Sequence, residues 1–153
     1  MIRRKTLLMT CLILIVAGCE EPGLSIDSAA DMVVYKTPTC GCCGKWVEHM
    51  RDAGYSVEVR EQESLNDVKQ RYKIPGEMQS CHTAVIDGYF VEGHVPAKVL
   101  KRFLKEAPAG ARGLAVPGMP IGSPGMEVGD RQDPYDVLVL KQSNAASVYA
   151  TEP

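Results

Sequence analysis

The chain has 153 residues, 45% of them hydrophobic, and a formal net charge of −2. This composition excludes wholesale disorder, and the length is sufficient for one domain with its own core. The weakly acidic balance argues against nucleic-acid binding, which requires a basic surface.

The N-terminal 18 residues have the pattern of an export signal. Three basic residues precede an apolar run from Leu7 to Ala17, which is too short to cross a bilayer as a helix. The run ends in Val16-Ala17-Gly18-Cys19, which resembles the lipobox of bacterial lipoproteins. We therefore expect residues 1–18 to be a signal peptide, Cys19 to carry lipid, and residues 19–30 to form the lipid anchor and tether. Cleavage elsewhere, or an uncut membrane anchor, is the alternative.

This interpretation predicts a periplasmic protein that is lipid-anchored to a membrane of the cell envelope. Loss of the three basic residues in the signal would bring the net charge of the mature chain to −5. Nucleic acid is therefore not an expected partner, whereas the membrane is, through the N-terminal lipid.

Strand and helix patterns alternate in the first half of the domain. Runs of β-type residues and, at Tyr55–Arg60, apolar residues at alternate positions predict strands, and apolar residues at helical spacing predict helices. In chain order we expect a strand at Met32–Tyr35, a cysteine-rich turn, a helix that stops at Gly54, a strand at Tyr55–Arg60, and a helix capped by Ser64.

The second half contains a hairpin, a helix and a long irregular segment. Asp87-Gly88 predicts a tight turn between strands at Thr83–Ile86 and Tyr89–Val91. Pro96 should open a helix at its first position, with Val99, Leu100, Phe103 and Leu104 as the buried stripe. The glycine- and proline-rich segment from Gly113 to Gly129 should form an irregular arm or a lid, followed by a strand at Tyr135–Leu140.

The resulting order, βαβαββα, resembles that of thioredoxin-like and glutaredoxin-like folds. We predict a single α/β domain over residues 31–150, in which helices flank a mixed central sheet. A C-terminal extension rich in glycine, proline and methionine would add a further strand.

Four of the six cysteines belong to the predicted domain, because Cys11 lies in the signal and Cys19 is assigned to lipid. Exported proteins usually pair such cysteines as disulfides. Here, however, three of the four lie within four residues, so only a bond to the fourth could link distant parts of the fold. The group is Cys40, Cys42, Cys43 and Cys81. Its spacing favours reactive chemistry over structural cross-linking.

Cys40 and Cys43 have CxxC spacing at the predicted start of a helix, where the helix dipole favours thiolates. Both a redox dithiol and a soft-metal site require thiolates. Cys42 favours metal, because a third sulfur would compete in disulfide exchange. In thioredoxin-like folds the loop before the third strand faces the CxxC turn and normally carries a cis-proline. In this sequence His82 takes the place of that proline, and Cys81 should face the other three cysteines.

Thiolates select Cu(I), zinc or iron–sulfur clusters. Structural zinc sites usually draw paired cysteines from two turns, and the spacing here matches neither common ferredoxin pattern. We therefore predict Cu(I), bound by Cys40, Cys42, Cys43 and Cys81. Because one thiolate can bridge two copper ions, we expect more than one ion per chain.

The histidines and methionines are weaker candidates. His82 could be a further ligand or a neighbouring donor, since strand alternation would turn it away from Cys81. His94 is interpreted as a turn or capping residue and His49 as a solvated surface residue. Three thioethers suit either Cu(I) transfer or ordinary packing, and we assign them no role: Met78, Met119 and Met126.

Four segments together resemble periplasmic copper-resistance proteins of the CopG type, a thioredoxin-like domain family formerly of unknown function. They are Tyr35 to Cys43, Ser80 to Ala84, Gly88 to Pro96, and Gly113 to Glu127. The resemblance implies a copper-binding envelope protein that stores copper, hands it over, or cycles it between Cu(I) and Cu(II). Its implied partners are copper ions and other envelope copper-efflux or copper-oxidising proteins.

Two other functions stay open at this point. An envelope thiol-disulfide oxidoreductase would use Cys40 for attack and Cys43 for resolution. A copper chaperone would act by docking alone, without turnover. Whether the chain is an enzyme, such as a copper oxidoreductase, is therefore undecided.

Overall fold

The computed structural model describes residues 31–153, so the predicted signal peptide, lipidated cysteine and tether lie outside the described residues. The described chain contains three α-helices, one short 3₁₀ turn at Gly76–Met78 and seven strands. The helices are α1 (Gly41–Asp52), α2 (Asn66–Arg71) and α3 (Ala97–Glu106). The strands are β1 (Met32–Lys36), β2 (Val57–Glu61), β3 (His82–Ile86), β4 (Tyr89–Glu92), β5 (Ala111–Ala115), β6 (Tyr135–Lys141) and β7 (Ala146–Glu152).

All seven strands form one mixed sheet in the order β2-β1-β3-β4-β5-β6-β7. Strands β1 and β2 are parallel, as are β4 and β5, and each of these pairs is connected through a helix. The remaining neighbours are antiparallel. The predicted mixed sheet flanked by helices is confirmed.

Apolar residues cover both faces of the sheet. The larger cluster joins Met32 and Val34 of β1 with residues of α1 and α3. The alternate β1 residues, Val33 and Tyr35, pack instead with α2. Because successive strand residues point to opposite faces, α1 and α3 lie on one side of the sheet and α2 lies on the other.

The predicted elements are confirmed with shifted ends. Strand β2 begins at Val57. Helix α2 begins at Asn66, and Leu65, not the predicted Ser64, occupies its N-cap position; the Ser64 hydroxyl instead accepts from the Asn66 N–H at 3.3 Å. Pro96 has extended backbone angles and precedes α3 instead of forming its first residue. Asp87 and Gly88 both have positive φ, as the predicted tight hairpin requires.

Strands β5 and β7 were not predicted. Strand β5 occupies Ala111–Ala115, whose glycine and arginine weaken the apolar alternation. Strand β7 forms the edge of the sheet, is largely exposed, and continues to Glu152. Its exposed, mixed sequence has no buried face that would produce a clear alternating pattern.

The segment between β5 and β6, residues 116–134, contains most of the predicted irregular segment Gly113–Gly129, whose first three residues belong to β5 instead; we call residues 116–134 the extension loop. It is held by local turns, such as the bond from the Met126 N–H to the Ser123 carbonyl at 2.8 Å. Ser123 and Gly125 are buried, so the loop packs against the domain. Among residues 31–153, no helix has the length and apolarity needed to cross a membrane.

Candidate metal centre

The cysteine-rich turn connects β1 to α1. Cys40 directly precedes the helix, and Cys42 and Cys43 lie in its first turn. Cys40 and Cys43 are joined as a disulfide, while Cys42 and Cys81 are free cysteines of the described chain. The Cys42 Sγ atom lies 3.5 Å from the Cys40 Sγ atom. This turn therefore holds three sulfur atoms in contact. Those of Cys40 and Cys43 can interconvert between a disulfide and two thiols.

Cys81 meets this turn from the loop before β3. The four cysteine Sγ atoms all lie within 4.8 Å of one another. The Cys43 Sγ atom is also 3.7 Å from the backbone carbonyl oxygen of Cys81. The structure thus brings together the four cysteines that the sequence analysis singled out. Cys43 is fully buried, whereas the other three are partly exposed.

His94 contacts Cys81 from the short connection between β4 and α3. Its Nδ1 atom lies 2.8 Å from the carbonyl oxygen of Pro124, and its Nε2 atom lies 3.0 Å from the Cys81 Sγ atom. A carbonyl oxygen can only accept, so Nδ1 carries the proton and Nε2 of the neutral ring presents a lone pair. In the metal-free protein, the Cys81 thiol therefore donates to Nε2.

His82 is fully buried beside the same sulfur. Its Nδ1 atom lies 3.3 Å from Cys81 Sγ, and its ring packs against Trp46 with a centroid distance of 4.4 Å. The expected separation by strand alternation does not occur, because Cys81 precedes β3 and His82 is its first residue. The His82 Nε2 atom is buried and has no hydrogen-bond partner within residues 31–153. Cys81, His82 and His94 thus form a second group of ligand atoms within 4.8 Å of one another.

Burial controls the protonation of these groups. It lowers the pKa of His94 and, more strongly, the pKa of His82, which falls well below its ordinary value because a second positive charge beside His94 and Lys69 would be repelled. Both imidazoles are consequently neutral at neutral pH and can act as ligands. Burial, together with Cys42, raises the pKa of the Cys81 thiol to about 11. Cys81 is therefore a protonated thiol at neutral pH, and a metal bound there would have to displace its proton.

The extension loop closes one side of the centre. Besides the Pro124 carbonyl that orients His94, Gly125 packs directly on the first turn of α1. Gly125 has φ +88°, and an added Cβ would lie 2.7 Å from the Cys42 carbonyl oxygen and 3.0 Å from the Trp46 backbone nitrogen. Only glycine fits this close approach without displacement of the backbone.

The other histidine and two of the methionines considered as ligands lie outside the cysteine cluster. His49 is half-buried, and its Nε2 atom accepts a hydrogen bond from the Ala97 N–H at the start of α3 at 3.0 Å, so its interpretation as a solvated residue was wrong. Met78 packs against the cluster formed by Ile74, Phe90 and Leu140. Met119 is 52% exposed, next to Gly118.

Fold and site together define a mixed α/β domain with a cluster of sulfur and imidazole groups, able to hold a metal ion, at the start of its first helix. Two solved structures, titled copper resistance protein CopG Form 1 and Form 2, are similar to this chain. Each is 48% identical with a TM-score of 0.75, and each alignment covers 80% of this chain and 96% or 97% of the CopG chain. The chain therefore belongs to the CopG copper-resistance family.

A family described as "Protein of unknown function, DUF411" matches residues 78–126, a range that includes Cys81, His82 and His94. A comparison with curated proteins finds no match.

Proposed function

We propose that this chain is a copper-resistance protein of the cell envelope that binds Cu(I) through Cys40, Cys42, Cys43 and Cys81, in a cluster of more than one ion. The observation that carries the proposal is the mutual approach of the four sulfurs within 4.8 Å. Soft thiolates prefer Cu(I), and a bridging thiolate serves two ions at once. Similarity to the proteins titled copper resistance protein CopG supports copper as the metal.

The donor set fits copper in chemical type. Binding by all four sulfurs requires reduction of the Cys40–Cys43 disulfide. His94 and His82 contribute neutral imidazole nitrogens beside Cys81, which suits copper in either common oxidation state. We assign His82 and His94 to the edge of the copper site, as ligands or as donors that orient Cys81.

Among storage, handover and redox conversion, the Cys40–Cys43 pair favours redox conversion. Oxidation of this dithiol to the disulfide releases two electrons and two protons, which reduces two Cu(II) ions to two Cu(I) ions. Cys42 and Cys81 stay available as thiols in the oxidised protein. Return to the dithiol needs two electrons from an envelope reductant, and an envelope efflux or copper-oxidising protein would receive the metal.

The proposed cellular location rests on the sequence alone. A signal peptide over residues 1–18 and a lipid on Cys19 would place the domain in the periplasm, tethered to an envelope membrane by residues 19–30. Lipid labelling of the wild-type chain and of Cys19→Ser tests this part. Loss of label in the variant supports it, and equal labelling contradicts it.

The test of the metal assignment is anaerobic titration of the reduced protein with Cu(I), followed by elemental analysis. We expect more than one copper per chain for the wild type and fewer for Cys81→Ser. One zinc and no copper after copper loading would overturn the proposal.

The second candidate is a thiol-disulfide oxidoreductase, which the Cys40–Cys43 disulfide itself favours. It requires that Cys40 and Cys43 exchange with a substrate disulfide without interference from Cys42. The 3.5 Å separation of Cys42 Sγ from Cys40 Sγ argues against this, because the third sulfur can attack a mixed disulfide. Metal-free dithiol activity that survives in Cys42→Ser/Cys81→Ser would support this candidate.

A further inference from the structure

A buried ion pair lies behind the loop that carries Cys81. The Lys69 ammonium of α2 donates to the Glu92 carboxylate at the end of β4, and the two side chains are 8% and 0% exposed. Thr83 joins them: its hydroxyl donates to Glu92 Oε2 at 2.6 Å, and its oxygen lies 3.2 Å from Lys69 Nζ. The pair is distinct from the groups proposed to contact copper.

The ion pair holds both backbone groups of Ser80. The Ser80 N–H donates to Glu92 Oε1 at 2.6 Å, and the Ser80 carbonyl accepts from Lys69 Nζ at 3.1 Å. Ser80 immediately precedes Cys81, so these two bonds fix the chain where it enters the site. Bonds to charged groups are stronger than neutral ones and restrict the backbone accordingly.

The same residues tie the extension loop to the site. The Ser80 hydroxyl donates to the Gly118 carbonyl at 2.5 Å, and the Glu92 carbonyl accepts from the Val116 N–H at 2.9 Å. Gly93 has φ +69°, and a Cβ there would lie 2.5 Å from the Val116 carbonyl oxygen. The chain segments around Ser80, Glu92 and Val116 are therefore closely packed against one another.

Removing two charges from water costs several kcal/mol per ion, and apolar residues of similar volume often stabilise a core as well or better. A general contribution to stability is therefore a weak reason for a lysine and a glutamate here. Both side chains form hydrogen bonds to the backbone of one residue, Ser80. This indicates that the pair fixes the position of the chain at Ser80.

We propose that Lys69 and Glu92 are positioning residues that hold Ser80, and through it Cys81 and the start of the extension loop, in the arrangement that copper binding requires. This inference rests on the proposed function. It predicts that loss of the pair frees Cys81 selectively, while Cys42 keeps its surroundings on α1.

The test uses Lys69→Met/Glu92→Met, which removes both charges and leaves no lone buried ion. The copper-free, reduced chains are alkylated with iodoacetamide, and the peptides containing Cys81 and Cys42 are quantified separately by mass spectrometry. We expect Cys81 to react roughly fivefold to thirtyfold faster than in the wild type, the factor for one to two kcal/mol of lost local stability. Cys42 should react at close to its wild-type rate.

Arg112→Met is the matched control. Arg112 also donates to backbone carbonyls, those of Tyr72 and Lys73, but it has no contact with Ser80 or Cys81 in the described chain. Its loss should leave the Cys81 rate unchanged. If the double variant loses cooperative unfolding, Thr83→Val replaces it, because this change removes the bridging hydroxyl without unpairing a charge. A smaller but still selective acceleration at Cys81 is then expected.

Equal acceleration of Cys81 and Cys42, or an unchanged Cys81 rate in a folded variant, would overturn the inference. The alkylation ratio is measured without copper, so it tests the positioning role independently of copper binding. If the wild type bound no copper, the proposed function would be wrong, but the alkylation test of the positioning role would still apply. With copper added, the double variant should lose sulfur ligands in its X-ray absorption spectrum while Arg112→Met keeps them.

Discussion

The Nε2 atom of His94 lies 3.0 Å from the Sγ atom of Cys81, with its lone pair directed at the sulfur. The opposite ring nitrogen is fixed by the Pro124 carbonyl of the extension loop. His94 therefore connects the four cysteines to the extension loop. Single substitutions can test what this connection contributes to copper binding.

Replacing His94 by alanine should weaken Cu(I) binding by roughly tenfold to a hundredfold, the usual effect of losing a group that orients or supplements a metal ligand. Competition with a Cu(I) chelator of known affinity measures the change. His49→Ala is the control, because His49 also accepts a hydrogen bond through Nε2, but from the Ala97 N–H instead of from a cysteine. Equal losses in the two variants would show that His94 acts only through stability.

Copper affinity should rise with pH. Because the pKa of Cys81 is raised to about 11, this thiol is protonated at neutral pH, and metal binding must release its proton. Each pH unit below that pKa should therefore lower the apparent affinity about tenfold for this thiol alone. Calorimetry in buffers of different ionisation enthalpy counts the released protons, and Cys81→Ser should release one fewer per chain. An unchanged proton count in this variant would mean that Cys81 does not bind copper as a thiolate.

Gly125→Ala should loosen the extension loop. The left-handed φ of +88° and the Cys42 carbonyl at 2.7 Å leave no room for a methyl group, so we expect a cost of about 1–3 kcal/mol in the free energy of unfolding and faster alkylation of Cys42. Gly129→Ala is a matched control, with φ +54° and no atom within 4 Å of the added carbon. It should show only the backbone strain, about 1 kcal/mol, measured by urea denaturation. Similar effects on Cys42 in both variants would contradict loop closure at Gly125.

Cys42→Ser should separate copper binding from dithiol chemistry. It leaves the Cys40–Cys43 disulfide intact and removes one sulfur from the group of four. We expect the copper content per chain to fall, as measured by elemental analysis after anaerobic loading, while the disulfide still forms in air. Full copper content together with improved reduction of a substrate disulfide would favour the oxidoreductase.

The sequence predicted the centre of the fold well because its elements have strong local signals. The central strands are short runs of mainly apolar and β-branched residues, and Asp87-Gly88 favours a tight turn. The four cysteines were singled out by assigning Cys11 to the signal and Cys19 to lipid. Cys81 was expected to face the other three because of its loop in thioredoxin-like folds, and the observed approach of its sulfur agrees with this.

His94 and Gly125 could not be assigned in the same way. The contact of His94 with Cys81 depends on the turn after β4, and its orientation depends on a carbonyl 30 residues further along the chain. The Lys69–Glu92 pair was also missed, because a lysine in a short helix normally indicates a solvated face, and only the tertiary fold buries it. A glycine- and proline-rich loop has no periodicity from which its packing partner could be inferred.

The most direct test of the central claim is X-ray absorption at the copper edge of the reduced wild-type chain, loaded anaerobically. We predict an edge typical of Cu(I), a ligand shell dominated by sulfur, and a short copper–copper distance from sulfur-bridged ions. A shell dominated by nitrogen or oxygen would contradict binding by Cys40, Cys42, Cys43 and Cys81.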